Sequence, residues 1–194
     1  MHALLQRNLF LIKEKVGILK ASNEYDIFDE SNQQIMKCTE PQLGVFAKMF
    51  RFTEYKRLTP FNIEVRDTQG KKVLSVKRGT SLWLSKVQVF DENEQLVGIF
   101  KQKFFSIGGK FDVLDPNENV LCTLKGKWTG WDFKFERDGI EFAQVTKQWA
   151  GIGKEFFTSA DNYALVISDK VNEGNALRIL IFAAVMCIDM VLKE

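Results

Sequence analysis

The sequence predicts an all-β protein, a closed antiparallel barrel of about twelve strands around a hydrophobic C-terminal α-helix. Three observations carry that prediction. An apolar strand followed by Asp, a few turn formers and a second apolar strand recurs five times along the chain. About a dozen strand-like segments lie between Leu9 and Ser168, with three prolines in the whole chain and no low-complexity linker. The C-terminal stretch Ala176 to Leu192 is apolar on every side of a helix.

In chain order the copies are Ile27-Phe28-Asp29 before Ile35, Val65-Arg66-Asp67 before Val73, Val89-Phe90-Asp91 before Leu96, Val113-Leu114-Asp115 before Val120, and Phe135-Glu136-Arg137-Asp138 before Ile140. Each reads as a β-hairpin. An aspartate at the turn start can accept from its own backbone two residues on, while Gly70, Asn93, Asn117 and Gly139 are expected to take the positive φ of a tight turn. From Asp67 onward the aspartates step by 24, 24 and 23 residues, so successive strands should be neighbours in a meander. Alternation is clearest in Trp131-Asp132-Phe133-Lys134-Phe135-Glu136, with aromatics on one face and charges on the other. The mixed window from Leu96 to Phe105 suits a strand that bends or bulges around a closed sheet.

Helix start signals are good at Glu173-Gly174-Asn175, with Asn175 as N-cap. The uninterrupted apolar run from Ile179 to Ile188 is ten residues, short of the roughly 20 that cross a bilayer core. Arg178 and Asp189 would add to the cost of lipid. The expectation is therefore a helix inside the barrel, from about 175 to 192, with Ile179, Phe182, Val185, Met186 and Asp189 as lumen residues, and a bilayer span as the alternative. The lengths agree, since 17 helical residues rise roughly 25 Å and strands of eight or so cover the same height. Eight strands would leave no lumen, and about twelve do.

Composition excludes most catalytic chemistries. The chain has 194 residues and a single histidine, His2, so Ser-His-Asp, Cys-His and histidine-metal sites are disfavoured. Cys38, Cys122 and Cys187 are far apart with no CxxC pair, which suggests free thiols in a reducing compartment. No secretory signal is apparent, and the chain reads as one cytoplasmic domain over residues 1–194 that is not an enzyme and carries no cofactor. Buried carboxylates such as Asp132 or Asp189 lack any paired catalytic motif.

Net charge is +2, but the cations are patterned. Lys77, Lys101 and Lys125 each lie ten residues after a hairpin aspartate, and Lys147 lies nine after Asp138. Arg78, Lys103 and Lys127 follow one or two residues on. These seven could form a basic rim at the strand ends opposite the aspartate turns, suited to an anionic lipid surface. A solvated polar face with edge-protecting lysines explains the same pattern. Nucleic acid is disfavoured, because no RNP-like sequence occurs and net charge is low.

The residues also carry a resemblance. Val145-Thr146-Lys147-Gln148-Trp149-Ala150-Gly151, Glu155-Phe156-Phe157-Thr158 and Ala160-Asp161-Asn162-Tyr163 follow one another in the order seen in phospholipid scramblases. Tyr25-Asp26-Ile27, Thr59-Pro60-Phe61, Arg66-Asp67-x-x-Gly70 and the terminal Ile188-Asp189 fall in corresponding places. The chain thus resembles the phospholipid scramblase family, with its tubby C-terminal-like barrel. That resemblance implies binding or translocation of membrane phospholipids, including phosphoinositides, without covalent chemistry. A peripheral anionic-lipid-binding or scaffold module is the alternative. The palmitoylated cysteine-rich stretch of vertebrate members corresponds here to Thr80-Ser81-Leu82-Trp83-Leu84-Ser85, without cysteine, and no proline-rich segment precedes the barrel, so the chain reads as a minimal form. The family's calcium segment maps onto Ser159 to Lys170, where Asp161 alone fits an EF-hand-type pattern, a degenerate site at best.

Overall fold

The computed structural model describes residues 2–15, 24–40, 60–79, 86–102, 110–127, 132–147, 162–172 and 174–192, the side chains of 102, 127 and 187–192 excepted. Twelve strands run among them: β1 (Leu9–Glu14), β2 (Tyr25–Phe28), β3 (Gln34–Thr39), β4 (Phe61–Asp67), β5 (Lys72–Arg78), β6 (Val87–Asp91), β7 (Leu96–Gln102), β8 (Phe111–Leu114), β9 (Val120–Lys127), β10 (Asp132–Arg137), β11 (Ile140–Thr146) and β12 (Asn162–Ile167). A helix, α1 (Ala176–Leu192), follows. Every strand pairs antiparallel with the next, and β12 returns to β1 in a register from Leu9 opposite Val166 to Lys13 opposite Asn162, so the sheet closes as a barrel.

The hairpins are built by one device used four times. The Oδ1 atoms of Asp29, Asp67, Asp91 and Asp115 each accept the backbone N–H groups two and four residues on, at 2.8–3.0 Å. The N–H three residues on bonds back to the aspartate carbonyl. This wiring puts the left-handed residue third after the aspartate, at Asn32 (φ 58°), Gly70 (84°), Glu94 (59°) and Glu118 (65°). The expected positions Asn93 and Asn117 are thereby corrected by one residue, because their N–H groups are the ones turned in to the carboxylate. The fifth hairpin differs. Arg137 faces Ile140 directly, and Asp138 (φ 53°) and Gly139 (φ 76°) form a two-residue turn of the type I′ kind.

Every hairpin also carries a β-bulge on its returning strand. The pairing skips Ile35, Val73, Val97, Leu121 and Phe142 in turn, the first four each the second residue of its strand and Phe142 the third of β11. All five are apolar. A bulge lets two consecutive residues turn toward the interior, and Val73 and Leu74 are both fully buried. Repeated around the sheet, the bulges add the bend and twist that closure requires. Beyond them alternation is regular: Phe133, Phe135, Ala143 and Val145 point in, while Lys134, Glu136 and Gln144 lie on the outward parity.

The lumen is filled by α1. From Leu177 to Met186 no residue is more than 7% exposed. Asn175 caps the helix as expected, its Oδ1 accepting the Leu177 N–H at 2.8 Å. Phe182 packs edge-on against Phe10 of β1, with ring centroids 4.9 Å apart. At Gly98 of β7 a Cβ would lie 2.9 Å from the Leu180 methyls and 2.3 Å from the Leu114 carbonyl oxygen, so glycine permits the helix and β8 to approach. Ile179, Phe182, Val185 and Met186 are buried as expected, and the Asp189 side chain lies outside the described residues. The bilayer-span alternative is not supported, since among the described residues no helix is long and apolar enough to cross a membrane.

One cation enters the core with the helix. Arg178 is 1% exposed. Its guanidinium donates to the carbonyls of Leu5 (3.2 Å), Val171 (2.7 Å), Gln6 (2.9 Å) and Arg7 (2.6 Å) and to Asn8 Oδ1 (2.6 Å). The accepting carbonyls of Leu5, Gln6 and Arg7 belong to the end and C-cap of a short 3-10 turn, Ala3–Gln6, whose Leu5 is itself a core residue.

Candidate lipid-facing surface

Strand alternation sorts the basic rim. Lys77 of β5, Lys101 of β7 and Lys125 of β9 each sit four residues past their bulge, on the outward parity. Arg78, one residue after Lys77, must turn inward. It is 6% exposed and stacks over the Phe61 ring at 4.7 Å. Arg78 therefore leaves the proposed surface, because neighbours in a strand face opposite sides. Lys147 follows the end of β11 in a bend, one step out of the alternation. The cause is the shorter fifth turn. Lys103 lies outside the described residues, and only the backbone of Lys127 lies within them.

The outward lysines are matched by carboxylates. Lys77 Nζ lies 3.0 Å from Glu94 and 4.8 Å above the Phe90 ring, and Lys72 holds the same Glu94. Lys125 pairs with Glu136, Lys86 with Glu118, and Lys134 with Glu141 at 2.8 Å. Lys101 faces Asp112 across the β7–β8 ladder and acts on Glu118. These pairs move the titrations. Hydrogen bonds from Lys72 and then Lys77 hold Glu94 below the usual carboxylate range, the bond from Lys86 does the same to Glu118, and Glu141 raises Lys134. Sequence spacing found the cations and missed these partners, several of which sit in the hairpin turns.

The surface is thus a lattice of exposed ion pairs. Exposed pairs of this kind are weak in water, so an arriving phosphate can take a lysine from its carboxylate at small cost. Elsewhere the chemistry is quiet. Cys38 and Cys122 are buried free thiols, and burial pushes the Cys122 thiol up to about 12. Asp132, considered as a buried carboxylate, is exposed and accepts from Gln144 at 2.8 Å. Asp161 of the calcium segment lies outside the described residues. Among the described residues no group of three or more His, Cys, Asp or Glu could hold a metal ion.

The model of the Scramblase family matches residues 3–194. The chain belongs to the scramblase family. A human relative, phospholipid scramblase family member 5, is 25% identical over 181 residues, which is 82% of this chain and 65% of the relative. This scramblase-family chain therefore spans just under two thirds of that curated relative's length. A solved protein of Arabidopsis thaliana aligns over 95% of this chain and 90% of its own, at 14% identity and a TM-score of 0.49.

Proposed function

We propose that this chain handles membrane phospholipid as an intact barrel, docking peripherally on an anionic cytoplasmic surface through Lys77, Lys101 and Lys125 and their strand-end neighbours. The observation that carries this reading is the enclosure of α1. With Leu177 to Met186 inside the lumen, the apolar helix contributes nothing to the outer face. What remains for lipid is the outward lattice, at about 1 kcal/mol per cation near a charged membrane. Family membership supports lipid as the partner and favours a second reading, translocation between leaflets, which needs a polar path that an intact barrel on the surface does not provide.

Flotation with phosphatidylcholine vesicles and with phosphatidylcholine–phosphatidylserine vesicles, in chelator and then in calcium, tests the proposal. Binding to the anionic vesicles alone, removed by an alkaline carbonate wash and indifferent to calcium, is expected. Carbonate-resistant binding, or movement of a fluorescent lipid between leaflets, overturns peripheral docking in favour of translocation. Absence of flotation on either vesicle rejects both.

A further inference from the structure

The outer face of β4, β5 and β6 holds one carboxylate between two lysines. Lys72 and Lys77 of β5 each donate to a different oxygen of Glu94, which reaches over from the β6–β7 turn, and Lys77 Nζ lies 3.0 Å from Oε2. Phe90 of β6 places its ring 4.8 Å from the Lys77 ammonium. On β4, Glu64 is taken by Arg66 at 2.6 Å and lies 4.0 Å from Lys72. Three cations thus face two carboxylates, and the group keeps one positive charge.

Ser75 stands between the two lysines along β5. It shares the outward parity of Lys77, with Glu64 opposite on β4 and Phe90 opposite on β6. Yet it is 0% exposed, and among the described residues its Oγ has no hydrogen-bond partner. A buried hydroxyl without a partner carries an uncompensated desolvation cost. The repeat of the barrel shows that this position is special. Two residues past the bulge, where β5 has Ser75, β7 has Ile99 and β9 has Thr123, whose hydroxyl donates to Asp112 at 2.9 Å. Both Glu94 oxygens are engaged by lysines, and neither takes the Ser75 hydroxyl.

A phosphomonoester differs from that carboxylate in the two respects the group lacks, a third terminal oxygen and a second charge. In place of the Glu94 carboxylate it can give one oxygen to each lysine and the third to Ser75, and its dianion neutralises the remaining charge. A phosphodiester has two terminal oxygens and one charge, so it repeats what Glu94 already does. We infer that Lys72, Ser75 and Lys77 form a phosphomonoester site whose anion seat the Glu94 carboxylate fills in the free protein. Glu94 is then an occluding group, carried on an exposed turn, that a dianion displaces and a monoanion does not. As a membrane site the inference rests on the peripheral reading; as a phosphate site it stands without vesicles.

Calorimetric titration of the full chain with glycerol 3-phosphate, and with dimethyl phosphate as the diester, tests it. Saturable binding of the monoester alone is expected. Glu94→Gln should tighten it about fivefold by weakening the hold on both lysines, and Ser75→Ala should weaken it about tenfold by removing a donor to a charged acceptor. Because Ser75→Ala deletes an unbonded hydroxyl, its melting temperature should not fall, which separates lost binding from lost fold. Lys125→Gln, outside the group, should leave the affinity unchanged. Flotation on phosphatidylcholine vesicles containing phosphatidic acid or phosphatidylglycerol then names the source. Preference for phosphatidic acid, lost in Ser75→Ala, supports a lipid headgroup, and solution binding without that preference supports a soluble phosphomonoester. Failure of docking on phosphatidylserine leaves the solution result standing. No saturable binding by the native chain or Glu94→Gln, equal binding of dimethyl phosphate, or an affinity untouched by Ser75→Ala overturns the site.

Discussion

Aspartates at the heads of four hairpins each hold two backbone N–H groups, and that role makes one of them a measurable acid-limb contributor. The side-chain amide of Asn119, then the backbone N–H groups of Asn119 and Asn117, keep Asp115 below the usual aspartate range. A carboxyl with a lowered folded-state pKa contributes stability that is fully present above its unfolded value, about 3.9, and lost as pH falls through the folded value. Asp115→Asn keeps an acceptor oxygen but not the charge. Thermal melts against pH should show the native chain ahead of this variant at neutral pH, with the two curves converging in acid. At this scale the aspartates were legible because turn chemistry is local. The left-handed positions were misplaced by one, since Glu94 and Glu118 stand where Asn32 and Gly70 stand in the sister turns, and glutamate carries no sequence signal for positive φ.

Among the elements, α1 is the one whose fate depends on everything else. Its sides are apolar throughout, so periodicity alone could not separate a lumen from a bilayer, and length decided the expectation. Phe182, fully buried against the edge of Phe10, is the test of that packing. Phe182→Ala should cost about 3–5 kcal/mol by the usual penalty for emptying an aromatic site in a core. Urea denaturation followed by tryptophan emission would show it as a lower midpoint at unchanged slope. A loss under about 1 kcal/mol would mean the helix is not packed as described. The strands were legible from alternation, whereas the five bulges were not placed, because a bulge reads in sequence only as two adjacent apolar residues. Arg78 was misassigned for a related reason, as proximity in sequence to Lys77 does not survive alternation.

For the whole molecule, charge balance decides how strongly the barrel meets a membrane. Because Lys125 is paired with Glu136 and Lys77 with Glu94, lattice carboxylates oppose docking as directly as the lysines promote it. Lys101→Gln with Lys125→Gln should weaken flotation on phosphatidylserine vesicles by about fivefold per charge, from roughly 1 kcal/mol per cation. Glu94→Gln with Glu136→Gln should strengthen it by a similar factor, and added salt should shrink both effects. Flotation unchanged in both double variants would remove the lattice from the lipid reading. Lysine spacing was legible along one strand after another, but the counter-charges come from turns and neighbouring strands distant in sequence.

By itself the sequence determined the strand count, the aspartate-headed hairpins, the capped apolar helix and the family resemblance, because each rests on patterns within a few residues or on motif order. Tertiary structure decided which lysines face out, where the bulges fall, which carboxylates neutralise the surface, and that Arg178, read in sequence only as a penalty in lipid, is held by the backbone carbonyls of residues 5–7 and the side chain of Asn8. Those are meetings between segments up to 173 residues apart. Only closure of the barrel brings them within hydrogen-bonding distance.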